Sequence, residues 1–192
     1  LPGLLPSPEW KLRHRKSAWY PGETLITGIG QGYFLATPLQ LASATATLAA
    51  RGKHIEPRVV RAVHEPGPDG ELRLTESKII NIGPLAANHW ERVIDAMVGV
   101  VESERGTAKR IRTSAYRIAG KTGTTQNHSD GWFIGTTPVL TAGVWTGAEL
   151  RSIHFRSLQS GQGANLALPI WGWFFKKVLA DSTLGITEEM QF

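Results

Sequence analysis

Residues Arg117-Ile118-Ala119-Gly120-Lys121-Thr122-Gly123-Thr124-Thr125 decide how the rest of the chain is read. The Gly-Lys-Thr inside them first suggests a phosphate loop. That reading needs a glycine five residues before Gly120, where Ala115 stands, and a helix after the lysine. Thr122-Gly123-Thr124-Thr125 continues as strand instead. On a strand, Lys121 and Gly123 point to one face and Thr122 and Thr124 to the other. At a sheet edge, such a strand sets a cation and hydroxyls beside a groove that can hold a substrate carboxylate. Gly123 leaves room for a substrate to lie alongside, and a strand N–H aimed at the reacting carbonyl can serve as half of an oxyanion hole.

Outward from this stretch, residues 116–125, 131–136 and 140–147 read as three strands. Their short links, Gln126-Asn127-His128-Ser129-Asp130 and Thr137-Pro138-Val139, favour antiparallel hairpins over crossovers. A helix follows from Pro169 to about Asp181, with Ile170, Trp173, Phe174 and Val178 expected on its buried face. Upstream, a helix over residues 85–103 places Trp90, Val93, Ile94, Met97, Val98 and Val101 on one side. Residues 54–83 shift to short strands, with Val59, Val60 and Val63 before the turn Pro66-Gly67-Pro68-Asp69-Gly70 and Leu72, Leu74 and Ile79 after it. Thr37, Pro38 and Gln40 form a capping box with proline at the first helical position. The helix they start carries Leu41, Ala44, Thr45 and Leu48 on one face and stops at Gly52. Gly22, Gly28, Gly30 and Gly32 require a tight turn or a close approach. Residues 1–21 show no clear period and are expected to form a loop. Strands and helices are segregated, so the fold class is α+β, an antiparallel sheet flanked by helices.

Composition narrows the function classes. The chain has 192 residues, 41% of them hydrophobic, with seven tryptophans, which suits one packed domain. No cysteine is present, which excludes disulfides, thiol nucleophiles and Cys-ligated metal. The six histidines show no ligand spacing, so no metal or cofactor is expected. A net charge of +5 is mild. Its basic clusters, Lys11, Arg13, Arg15, Lys16 and Arg105, Lys109, Arg110, Arg112, match no nucleic-acid motif. No signal segment opens the chain, and the uncharged residues 131–148 are too broken by glycine, threonine and Pro138 to span a membrane. His128-Ser129-Asp130 has the residue types of a triad, but a triad is defined by convergence in space, and a polar turn is the better reading.

Lys-Thr-Gly is one of three motifs shared by penicillin-binding proteins and serine β-lactamases. The surroundings extend the likeness. Tyr20-Pro21-Gly22-Glu23-Thr24, Gly28-Ile29-Gly30-Gln31-Gly32-Tyr33, Ala36-Thr37-Pro38-Leu39-Gln40-Leu41-Ala42 and Arg105-Gly106-Thr107-Ala108 closely resemble the transpeptidase domain of class B penicillin-binding protein 2, over residues 1–126. Ser129-Asp130-Gly131-Trp132-Phe133-Ile134-Gly135, Gly143-Val144-Trp145-Thr146-Gly147 and Ala167-Leu168-Pro169-Ile170-Trp171 look more like the bifunctional class A enzymes, over residues 127–186. The resemblance implies that Lys121, Thr122, Gly123 and Thr124 line the acylation groove. Lys121 would supply positive field and the Thr122 and Thr124 side chains would hold a substrate or β-lactam carboxylate. The Thr124 N–H would contribute to the oxyanion hole, and Gln126 would line the groove by position.

The family's nucleophile is the serine of Ser-x-x-Lys, and a Ser-x-Asn helps move protons. Here no serine is followed by Lys at +3 or by Asn at +2. Residues 1–192 are therefore expected to be the C-terminal part of one transpeptidase domain whose catalytic serine lies upstream. By resemblance, the parent is a peptidoglycan DD-transpeptidase that cross-links stem peptides through a serine acyl-enzyme. It would be held at the extracytoplasmic face of the bacterial cytoplasmic membrane by an anchor outside this sequence. Its partners would be stem peptides, β-lactams and the upstream part of the same domain. A non-catalytic peptide- or β-lactam-binding module and a serine β-lactamase fragment are the alternatives.

Overall fold

The structure is a computed structural model that describes residues 2–67 and 70–186. In chain order the elements are α1 (Pro8–Arg15), α2 (Pro21–Gly28), α3 (Pro38–Ala49), β1 (Lys53–Ile55), β2 (Ala62–His64), β3 (Leu72–Leu74) and β4 (Ile79–Asn81). They continue with α4 (Ala87–Glu102), β5 (Ala119–Thr124), β6 (Asp130–Thr136), β7 (Thr141–Gly147), α5 (Leu158–Gly161) and α6 (Ala167–Ala180). Among the described residues, no helix is long and apolar enough to cross a membrane.

The main sheet has the order β5-β6-β7, antiparallel throughout. Its residues alternate between two helical layers. Phe133 faces α6, meeting Trp171 edge-on at 5.3 Å, and Trp171 stacks on Phe175 at 3.8 Å. A Cβ on Gly135 would come within 2.6 Å of the Trp171 ring, so only glycine lets the indole lie that close to β6. The indole N–H of Trp171 donates to Ala142 O at 3.0 Å, which satisfies the polar atom of a fully buried ring. On the opposite face Gly143 lies under α3, where an added Cβ would meet Ile134 Cδ1, Pro38 O and Ala42 Cβ. Ile94 and Val98 of α4 pack on Ala119 at the start of β5.

The capping box of α3 forms as its sequence dictates: Gln40 N donates to Thr37 Oγ1, and Thr37 N donates to Gln40 Oε1. Gly52, at φ +91°, follows the helix end and donates its N–H to Thr47 O. The β2–β3 hairpin is present, although Pro68 and Asp69 of its turn lie outside the described residues. Val59 and Val60 precede the hairpin without joining a strand, and Ile79 belongs to β4, which pairs with β1 instead.

Three further expectations are corrected. Residues 8–15 form α1, started by the Ser7 hydroxyl accepting from Trp10 N and by Pro8 at the first position. The helix buries only Lys11, so it has no apolar stripe for periodicity to detect. The first glycines of residues 22–32 lie in or end a helix, α2, and only Gly30 and Gly32 take the left-handed backbone of a turn. The buried face of α6 is Ala167, Leu168, Trp171, Phe175 and Val178, whereas Ile170, Trp173 and Phe174 are exposed. Both faces of α6 carry large apolar residues, so the buried stripe lies about one residue out of phase with the expected one.

Candidate substrate groove

Among the described residues, strand β5 has one neighbour, β6, and its other edge pairs with no strand. The ladder fixes which backbone groups face that edge. Thr125 N donates to Asp130 O at 3.1 Å, and antiparallel pairing then alternates back along the register Gly123↔Trp132 and Lys121↔Ile134. The odd-numbered residues thus bond to β6, and the N–H and C=O of Gly120, Thr122 and Thr124 point to the open edge. The carbonyl contacts agree: Thr122 O accepts from Lys121 Nζ at 2.7 Å, and Thr124 O accepts from Gln31 Nε2 at 3.1 Å.

Lys121 is exposed on the edge strand, its ammonium folded back onto Thr122 O. Thr122 Oγ1 lies 2.9 Å from Thr107 Oγ1. The loop that carries Thr107 is fixed by Ala108 N donating to Val100 O, and Ala108 is fully buried. Gly123 crosses from Trp132, and a Cβ there would sit 3.1 Å from the Trp132 Cβ. Thr124 Oγ1 accepts from Gly163 N at 3.1 Å, which places this side chain on the α6 side of the sheet. Because a hydroxyl is also a donor, that bond leaves the Thr124 O–H proton for another acceptor. Gly163 packs so tightly over Gly123 and Trp132 that a Cβ would clash with the backbone of both. The loop carrying it is tied down by Arg110, which donates to Asn165 Oδ1 at 3.2 Å.

Lys121, Thr122, Gly123 and Thr124 therefore share one edge. Gln126 stands just beyond it, exposed, in the turn Gln126–His128, where Asn127 and His128 have positive φ. Its side chain hydrogen-bonds none of the four. In the same turn, Ser129 Oγ donates to Gln126 O and Arg151 O, so His128-Ser129-Asp130 is a turn braced by its serine.

Sequence reasoning missed three supporting residues. Gln31 sits between Gly30 and Gly32, both at positive φ, so the flanking glycines were its signal. Thr107 lies inside Arg105-Gly106-Thr107-Ala108, a segment whose resemblance carries no role for its threonine. Gly163 is 39 residues from Thr124 and carries no signal that one sequence can show. Two concave regions lie elsewhere: a cleft of about 550 Å³ beside α6, and one of about 740 Å³ between α3 and β1. Neither is lined by residues 121–126.

Residues 7–152 match the penicillin binding protein transpeptidase domain family. The chain belongs to that family. It is 49% identical over 124 residues to peptidoglycan D,D-transpeptidase MrdA of Acinetobacter baumannii, a match that covers 65% of this chain and 18% of that protein. It is 32% identical over 142 residues to penicillin-binding protein 1A of Aquifex aeolicus, covering 74% of this chain and 18% of that one. In three dimensions it resembles penicillin-binding protein 2 of Pseudomonas aeruginosa, solved in complex with WCK 5153. That likeness has a TM-score of 0.68 at 36% identity and covers 93% of this chain and 38% of that one. The chain thus spans about a fifth of the length of the curated relatives it matches, and its fold is that of a penicillin-binding protein transpeptidase domain.

Proposed function

We propose that this chain supplies one wall of the acylation groove of a peptidoglycan DD-transpeptidase, and that a preceding part of the same domain supplies the serine nucleophile. The observation that carries the reading is the open edge at Thr124, where an N–H and a C=O of one residue face outward together. A residue of an added antiparallel strand exchanges both bonds with such a partner. For a stem peptide ending in D-Ala-D-Ala, that residue is the penultimate one. Its carbonyl, the one attacked, accepts from Thr124 N–H, and its own N–H donates to Thr124 O.

When the serine oxygen attacks, the carbonyl becomes a tetrahedral oxyanion, and a donor already in place stabilises it without reorganisation. The terminal D-alanine leaves as the amine, and the amine of a second stem peptide later takes the acyl group from serine. Lys121 supplies positive charge beside the substrate carboxylate, and the Thr122 and Thr124 hydroxyls bind it. Gln126 borders the exit of the groove. A β-lactam enters the same edge with its carboxylate and its strained carbonyl in the corresponding places.

Exposed apolar side chains support the assignment of a missing wall. Leu25 and Ile29, in and after α2, are each 76% exposed, and Leu39 on α3 is 64% exposed. Apolar side chains left this open on successive elements fit faces that another part of the protein covers. In the complete protein these faces are covered by the part that carries the nucleophile, which is itself held at the extracytoplasmic membrane surface.

Acylation of the complete transpeptidase by benzylpenicillin, followed by intact mass, tests the groove assignment. Thr124→Val removes a hydroxyl that binds a carboxylate, so acylation slows about 10- to 100-fold. Thr124→Ser, which keeps the hydroxyl, restores most of the rate. Equal rates in all three proteins would remove Thr124 from the groove.

A further inference from the structure

Gln31 reaches across 93 residues of sequence to place its side-chain amide on Thr124 O at 3.1 Å. That carbonyl belongs to the residue whose N–H and C=O both face the open edge. Any donor that uses it must come from the open side, because β6 occupies the other. The amide of Gln31 therefore competes for the same outward-facing oxygen as the main-chain N–H of an added strand. We infer that Gln31 is a built-in place-holder: it fills the edge acceptor of the empty groove and is displaced by ligands that bring an amide N–H of their own.

This inference rests on the groove reading above, and the loop geometry supports it separately. Gln31 is held by its backbone, not by its side chain. Its N–H donates to Ile26 O at 3.0 Å, and Gly30 N donates to Thr27 O at 2.9 Å. Gly30 and Gly32 take φ of +75° and +72°, and a Cβ at Gly32 would sit 3.0 Å from Ile26 Cγ2. The turn is thus set by residues around Gln31, so the side chain can leave Thr124 O by rotation about its own bonds without moving the loop. A place-holder of this kind makes the edge selective. An unpaired strand edge accepts any passing donor, including another chain. With Gln31 seated, a ligand must replace a hydrogen bond already made, so a ligand that lacks an N–H there gains nothing at that position.

The test uses the complete transpeptidase and two β-lactams, benzylpenicillin, which has an acylamino N–H, and sulbactam, a penam sulfone without one. Second-order acylation constants are measured by intact mass for wild type, Gln31→Met and Gln31→Glu, neither of which retains a donor at neutral pH. Loss of the competing bond is expected to raise the benzylpenicillin-to-sulbactam ratio about two- to tenfold, the range of one neutral hydrogen bond. Thermal melts identify a variant that fails to fold, and the other variant then decides. An equal fall in both constants would make Gln31 a prop for β5 and overturn the inference, as would an unchanged ratio, while the groove reading stood. A wild-type enzyme acylated by neither compound would remove the groove reading, and the inference with it.

Discussion

Thr107 and Thr122 show how the proposed groove depends on single side chains. Their hydroxyls lie 2.9 Å apart, so Thr107 fixes the Thr122 rotamer, the one in which the proposed function has Thr122 meet a carboxylate. Thr107→Val keeps the shape and removes one neutral bond, worth about 1 kcal/mol, so benzylpenicillin acylation of the complete enzyme should fall about fivefold. A loss of stability without a loss of rate would show that the pair only braces the loop. The sequence showed that Lys121, Thr122, Gly123 and Thr124 lie on one strand, because a short strand keeps its pattern in consecutive letters. It could not expose Gly163 or the Gln31 contact, because both are made by loops whose path is set by packing elsewhere.

Among the elements, α1 and α2 are joined by an ion pair rather than by apolar packing. Lys11 Nζ lies 2.7 Å from the Glu23 carboxylate, donates to Ala18 O at 2.7 Å, and sits over the Tyr20 ring. The Lys11 hydrogen bond, followed by the Tyr20 N–H, holds the Glu23 carboxyl below its ordinary range. A carboxyl lowered by folding stabilises the fold above its unfolded pKa, and that contribution is lost as pH falls through the folded value. Glu23→Gln should therefore melt below wild type at pH 7, and the gap should close as pH is lowered through the carboxylate range. A gap independent of pH would contradict the pairing. The helix α3 depends on a different device, and Thr37→Ala should cost about 1 kcal/mol in denaturant unfolding. Capping residues are local, so α3 was legible before the structure. The α1–α2 pair was not, since a buried lysine reads as a charged surface until its partner is placed.

At the scale of the whole molecule, the sheet has a packed interior and an unfinished exterior. Phe133 and Trp171 are fully buried, and Phe133→Ala should destabilise the chain by about 3–5 kcal/mol, read by unfolding. By contrast, α2 buries no residue at all, and Leu25, Ile29 and Leu39 stand open. Fold class and strand order were legible because short links force antiparallel hairpins. The phase of α6 was not, because aromatic residues on both of its sides give periodicity two answers. The central claim, that this chain holds the groove strand while the attacking serine lies outside it, is tested most directly by mass spectrometry. The 192-residue chain is incubated with benzylpenicillin, alone and together with the preceding part of the domain. The predicted result is no adduct on the chain alone, and an adduct confined to the preceding part when both are present. A stable penicilloyl adduct on any serine of this chain would contradict the account.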